Sequence, residues 1–159
     1  MKIYTIGVYG STEKEFFDKL VENCIDTFCD IRQRRGVRGS EYAFVNSNRL
    51  QNKLAELNIQ YGYIPELAPT TEIREHQKSE DLKQGERKKD RNKLGSVFST
   101  EFKNKIIEKF AFDTFIEQLK NARANRVVLF CVEGKAEACH RSIVANELNK
   151  RYKFEIEHL

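Results

Sequence analysis

Two short stretches concentrate the side chains able to do chemistry. One is Cys131-Val132-Glu133, followed after a polar loop by Cys139-His140-Arg141. A cysteine at a helix start gains the helix dipole and free backbone N–H groups, which favour its thiolate. Glu133 and His140 are candidates for proton transfer, and Arg141 is a candidate clamp for an anion. The other stretch is Asp30-Ile31-Arg32, with Arg34, Arg35 and Arg38 close behind. Guanidinium forks grip phosphate or carboxylate in bidentate fashion, so such a cluster suits an anion site in which Asp30 can also handle protons. Plainer readings stand beside these. Cys131 can simply finish a buried strand. Asp30 and Arg32 point to one side of an extended segment and can pair internally. Cys139, His140 and Arg141 can be architectural, with Arg141 pairing with Asp30 or Glu133 across the sheet.

Two well-known chemistries can be tested on spacing. A phosphatase loop needs an arginine at a fixed distance after its cysteine, and from Cys131 that position holds Glu137. For zinc, Cys131, Cys139, His140 and His158 are conceivable ligands, but no cysteine pair has close ligand spacing. Adjacent Cys139 and His140 on a helix would also point in different directions. The expectation is therefore no metal and no cofactor.

Both clusters need strands behind them. The run 127–132 is apolar without alternation, as in a parallel strand buried on both faces, and ligands gather at the carboxyl ends of such strands. A strand at 3–6, a helix at 13–23 and a strand at 25–31 make a βαβ unit with a right-handed crossover. Thr12 and Glu15 have capping-box spacing for that helix. A polar loop leads to a helix at 48–57, capped by Asn46 or Ser47, and a short strand at 59–64. Tyr42 and Phe44 before this helix read as core anchors. Thr70 or Thr71 caps a helix to about residue 83, and Ser99 or Thr100 opens two consecutive helices or one kinked helix. A helix at 139–152 and an alternating edge strand at 153–157 close the chain. The sum is an α/β, three-layer fold with a mostly parallel sheet of about five strands and helices on both faces. Residues 1–159 form one domain, with a charged helical or loop excursion at about 65–100.

Composition narrows the classes. The 159 residues are 40% hydrophobic and 33% charged, enough for one core under a charged surface. No apolar run is long enough for a membrane span, and the amino-terminal residues read as a strand rather than a signal peptide, so a cytoplasmic setting is the default. Cys24, Cys29, Cys131 and Cys139 are too sparse for a disulfide framework. The net charge of +4 is a mild bias. Within 83–93, Arg87, Lys88, Lys89 and Arg91 alternate with Glu86 and Asp90, which suits a solvated helical face.

Thr5-Ile6-Gly7, Asp30-Ile31-Arg32, the strand holding Tyr61, and Cys131-Val132-Glu133 with Cys139-His140-Arg141 resemble the family catalogued as domain of unknown function 488. The resemblance runs from about Ile3 to His158, and the Cys-x-Glu and Cys-His-Arg pattern is its most specific mark. The segments 35–42 and 67–70 resemble one branch. Other members carry Leu-Gly-Gly where this chain has Leu67-Ala68-Pro69, and a proline after the Asp-x-Arg that is missing here. The resemblance implies an α/β fold and a common site at Asp30, Arg32, Cys131, Glu133, Cys139, His140 and Arg141. It implies no reaction.

The expectation is an enzyme on a phosphate-bearing substrate, a nucleotide or nucleic acid. Arg32, Arg35, Arg38 and Arg141 hold the anion, and Glu133, Asp30, Cys139 and His140 carry the chemistry. The alternative is a non-catalytic nucleic-acid-binding or interaction module.

Overall fold

A computed structural model of the protein describes residues 1–85 and 92–159. Five strands, β1 (Lys2–Ile6), β2 (Thr27–Asp30), β3 (Gln60–Tyr63), β4 (Arg126–Phe130) and β5 (Ile156–His158), form one parallel sheet in the order β3-β2-β4-β1-β5. The strand without alternation, β4, is central. Val127 and Leu129 face one core, Val128 and Phe130 the other, and all four are fully buried. The expected α/β fold with helices on both faces of the sheet is the one observed.

Helices α1 (Glu13–Glu22) and α2 (Ser47–Glu56) cover the face of Phe28, Val128 and Phe130 with Phe16, Leu20, Leu50 and Leu54. The other face receives α4 (Ser96–Phe102), α5 (Phe112–Asn121) and α6 (His140–Tyr152), through Phe102, Phe115, Val144 and Leu148. The expected excursion is helical in its first part, α3 (Thr71–Gln84), capped by Thr70 through Ile73 N–H. The middle of the basic segment at 83–93 lies outside the described residues. A π-helical turn, Lys103–Ile107, joins α4 to the segment before α5, so the stretch is a broken pair of helices.

Local chemistry accounts for most boundaries, and the departures have causes. The Thr12–Glu15 capping box forms in both directions. Asn46 is the N-cap of α2, but its side chain accepts from Val37 N–H at 2.7 Å, so it ties down the arginine loop instead of capping. Helix α4 starts at Ser96, before Ser99, because a tertiary contact fixes its cap: Gly95 N–H donates to Gln77 at 2.9 Å. Lys153 takes a left-handed conformation that ends α6, so the last strand pairs only at Ile156–His158. Among the described residues no helix is long and apolar enough to cross a membrane.

Strand β2 is followed by α2 on one face, and its neighbour β4 by α6 on the other. The connections leaving their carboxyl ends therefore diverge to opposite faces at a topological switch point, where open α/β sheets form a crevice.

Candidate functional site

That crevice is a cleft of about 910 Å³. One wall is the loop after β2, contributing Arg32, Arg34 and Arg38. The opposite wall comes from the end of β4 and the start of α6, contributing Cys131, Glu133, Cys139 and His140. Helix α3 covers it with Arg74, Gln77 and Lys78, and Tyr9 and Tyr42 stand at one side with their rings 5.2 Å apart. The segment before α4, which also lines the cleft, is fastened to the β4 side by Leu94 N–H, which donates to the Glu137 carbonyl at 3.0 Å.

Asp30 and Arg32 close on each other at the tip of β2. Arg32 Nε and Nη2 donate to the two Asp30 oxygens at 2.8 and 2.7 Å, and Nη2 also donates to the Val45 carbonyl at 3.0 Å. Asp30 further accepts from Tyr61 Oη at 2.9 Å. Burial, and next the charge of Asp30, push the Tyr61 hydroxyl up to about 12, so it stays a donor. The guanidinium lies 4.5 Å above the Phe130 ring. These contacts fix Arg32 in one pose while leaving its Nη1 buried with no hydrogen-bond partner. Asp30 itself is fully buried and does not line the cleft.

Across the cleft, Cys139 has an extended backbone (φ −137°, ψ 144°) because it is the N-cap of α6 and lies outside the helix. That corrects the expectation that Cys139 and His140 diverge. The extended residue turns its side chain back, and Cys139 Sγ sits 3.7 Å from His140 Nδ1. His140 Nε2 is 3.0 Å from the Ile31 carbonyl. A carbonyl only accepts, so Nε2 carries a proton, and Nδ1 is the ring nitrogen that faces Cys139. The ring rests against Phe102, 5.4 Å between centroids. The Sγ atoms of Cys131 and Cys139 and a ring nitrogen of His140 all lie within 4.8 Å of one another. They are the one group among the described residues placed to hold a metal ion.

The two thiols differ sharply. Burial pushes the Cys139 thiol up, but the hydrogen bond from Cys131, the Arg141 charge and the Arg141 backbone N–H outweigh it and bring it down to about 7. Cys131, which donates that bond, is raised by it and by burial. Cys29, deep in the other core, is raised to about 12 by burial and then the charge of Asp30.

Arg141 and Arg35 do not line the cleft. Arg141 lies beneath the loop after β4, bonded to the carbonyls of Glu133 and Gly134 and to Thr5 Oγ1. It clamps backbone rather than pairing with Asp30, which is taken by Arg32, and the Thr5-Ile6-Gly7 turn accommodates this clamp. A Cβ on Gly7 would stand 1.9 Å from the Glu133 carbonyl oxygen. Arg35 stacks 4.3 Å over the Tyr63 ring and bonds to Tyr61, at the outer side of β2.

Arg74 is the cleft residue that sequence reasoning missed. It is an unremarkable position in a charged helix, and only the docking of α3 by Ile73 brings it over the cleft. Its Nε is buried without a partner. Burial, then the nearby charge of Arg34, lower its pKa.

No curated protein and no solved structure matches the chain. A family model does match, over residues 12–148, a span that takes in both walls of the cleft, its α3 cover and the Arg141 clamp. The chain accordingly belongs to the family described as Domain of unknown function DUF488.

Proposed function

We propose that the chain is an enzyme acting on a phosphate-bearing substrate, a nucleotide or nucleic acid, held in the cleft between β2 and β4. One observation carries the reading: Arg32 Nη1 and Arg74 Nε are buried without partners in the walls of the same cleft. Unmet guanidinium donors cost free energy, and a ligand oxygen removes that cost. Arg34 stands near enough to Arg74 to lower its pKa, so positive charge is concentrated there. A phosphate group, with its several acceptor oxygens, answers both features. Glu133 then handles protons on the facing wall, and Cys139 with His140 completes the reactive side. Asp30 acts through Arg32, as a positioning residue.

The test is calorimetric titration of the full-length protein with inorganic phosphate, mono- and triphosphate nucleotides and short oligonucleotides, followed by assays for turnover of whichever binds. Binding should weaken with salt, and Arg74→Ala should lose about tenfold in affinity, roughly one charge-assisted hydrogen bond. Failure of all four probes to bind would sink the reading. A non-catalytic nucleic-acid-binding module is the second reading, motivated by the exposed Arg34, Arg38 and Lys78 at the cleft mouth. Oligonucleotide binding with no turnover would favour it.

A further inference from the structure

We infer that Cys131, Cys139 and His140 form a binding site for a thiophilic divalent cation of the zinc class, with its fourth coordination position open to the cleft. The site shares Cys139 and His140 with the proposed function, but it rests on other atoms than the two unmet arginine donors that carry the phosphate reading.

Four observations converge on it. The first is distance. Zinc binds thiolate sulfur at about 2.3 Å and imidazole nitrogen at about 2.0–2.1 Å, so tetrahedral geometry separates the two ligand atoms by about 3.6 Å. The Cys139 Sγ to His140 Nδ1 separation is 3.7 Å, and Cys131 Sγ falls within 4.8 Å of both partners. Cys139 and His140 thus stand at about the spacing a metal requires, and Cys131 lies close enough to complete the set.

The second is the outer shell. Ligating histidines characteristically donate their other ring N–H to a carbonyl or carboxylate, which fixes the tautomer and aims the lone pair. His140 does this through Nε2 to the Ile31 carbonyl, leaving Nδ1 directed at the thiols. Third, Cys139 is the N-cap of α6 beside the Arg141 charge, a setting that favours the thiolate a metal ligand must be. Fourth, among the described residues the set is three protein ligands, not four. Structural zinc sites close with four protein ligands, whereas three leave a position for water or substrate. All three residues line the cleft, so that position faces the same space as Arg32 and Arg74.

Sequence spacing gives no hint of this. The seven residues between the cysteines exceed ordinary ligand spacing, and a histidine adjacent to a cysteine on a helix cannot share its metal. The extended N-cap backbone of Cys139 removes the second objection, and the loop folding back from β4 removes the first.

Binding replaces the Cys131 and Cys139 thiol protons, which leave to buffer, by two sulfur–metal bonds, and no electrons are transferred. The test uses the full-length protein stripped by chelator under a phosphine reductant and titrated with Co²⁺ or Zn²⁺ alone. One equivalent of Co²⁺ should give thiolate-to-cobalt charge-transfer absorption and the intense visible bands of tetrahedral cobalt. Zn²⁺ should displace it. Cys139→Ser and His140→Gln should each weaken Zn²⁺ binding roughly hundredfold, whereas Cys24→Ser should change nothing. Where a variant does not fold, cadmium NMR of the unsubstituted protein reads the ligand set directly, with two sulfurs and one nitrogen expected. Less than one equivalent bound, cobalt spectra without sulfur charge transfer, or a cadmium shift typical of oxygen ligands would each overturn the site. None of these measurements involves phosphate. Loss of phosphate binding with the metal retained would sink only the functional reading, and the converse would sink only this one.

Discussion

Arg32 and Arg141 are both almost wholly buried, 3% and 1% exposed, at the carboxyl end of one sheet, yet they do different jobs. Arg141 gives its guanidinium to two backbone carbonyls and a threonine hydroxyl, so its charge goes to holding the loop after β4. Arg32 is held by a carboxylate and one carbonyl and keeps Nη1 without a partner beside the cleft. A fully satisfied buried arginine is scaffold. A buried arginine that is rigidly held and one donor short is suited to a ligand. The difference comes from what else reaches each side chain, since the two have the same chemistry.

The sharpest way to break this comparison is Arg141→Met. It keeps the volume but abandons two carbonyls, each accepting a charge-assisted hydrogen bond worth about 1.5–3 kcal/mol. Urea denaturation should show a loss of about 4 kcal/mol. Variant protein that still folds should bind phosphate as before, and a selective loss of phosphate affinity would move Arg141 into the site. Next comes Arg32→Lys, which keeps the charge beside Asp30 but loses the bidentate fork and the spare nitrogen. It should cost about 2 kcal/mol in stability and weaken phosphate binding roughly tenfold, seen by titration. If affinity were unchanged, Nη1 would not be a ligand donor.

Tyr61→Phe removes one hydrogen bond to Asp30 and should cost about 1 kcal/mol. A double-mutant cycle with Arg32→Lys should show coupling, because both residues hold the same carboxylate. The smallest effect on stability is expected from probing Cys139. In metal-free protein its alkylation by a small reagent should rise with pH through about 7, as the thiolate forms, while Cys131 stays unreactive because its pKa is raised. Mass spectrometry of digested protein distinguishes the two. Equal labelling of both at neutral pH would contradict the proton-sharing arrangement.

How far the site could be read in advance varied with what each residue depends on. Both reactive stretches were visible, because strand ends in a parallel sheet are predictable from apolar runs. The Asp30–Arg32 pairing followed from alternation along an extended segment. The aim of Cys139 did not, since one residue's φ and ψ at the helix entrance decide whether it shares a direction with His140. Arg35 and Arg38 sit three apart in one loop, yet one stacks on Tyr63 and the other lines the cleft. No local rule separates them.

By itself, the sequence determined the parallel α/β framework, the central position of β4 and the placing of both polar clusters at carboxyl ends. These rest on periodicity and caps, which are short-range. Only the tertiary structure decided which arginines keep an unmet donor, that Arg74 joins them from α3, and that two thiols and an imidazole converge. Those outcomes depend on which atoms from distant segments arrive at one point, and packing settles that only once every element is in place.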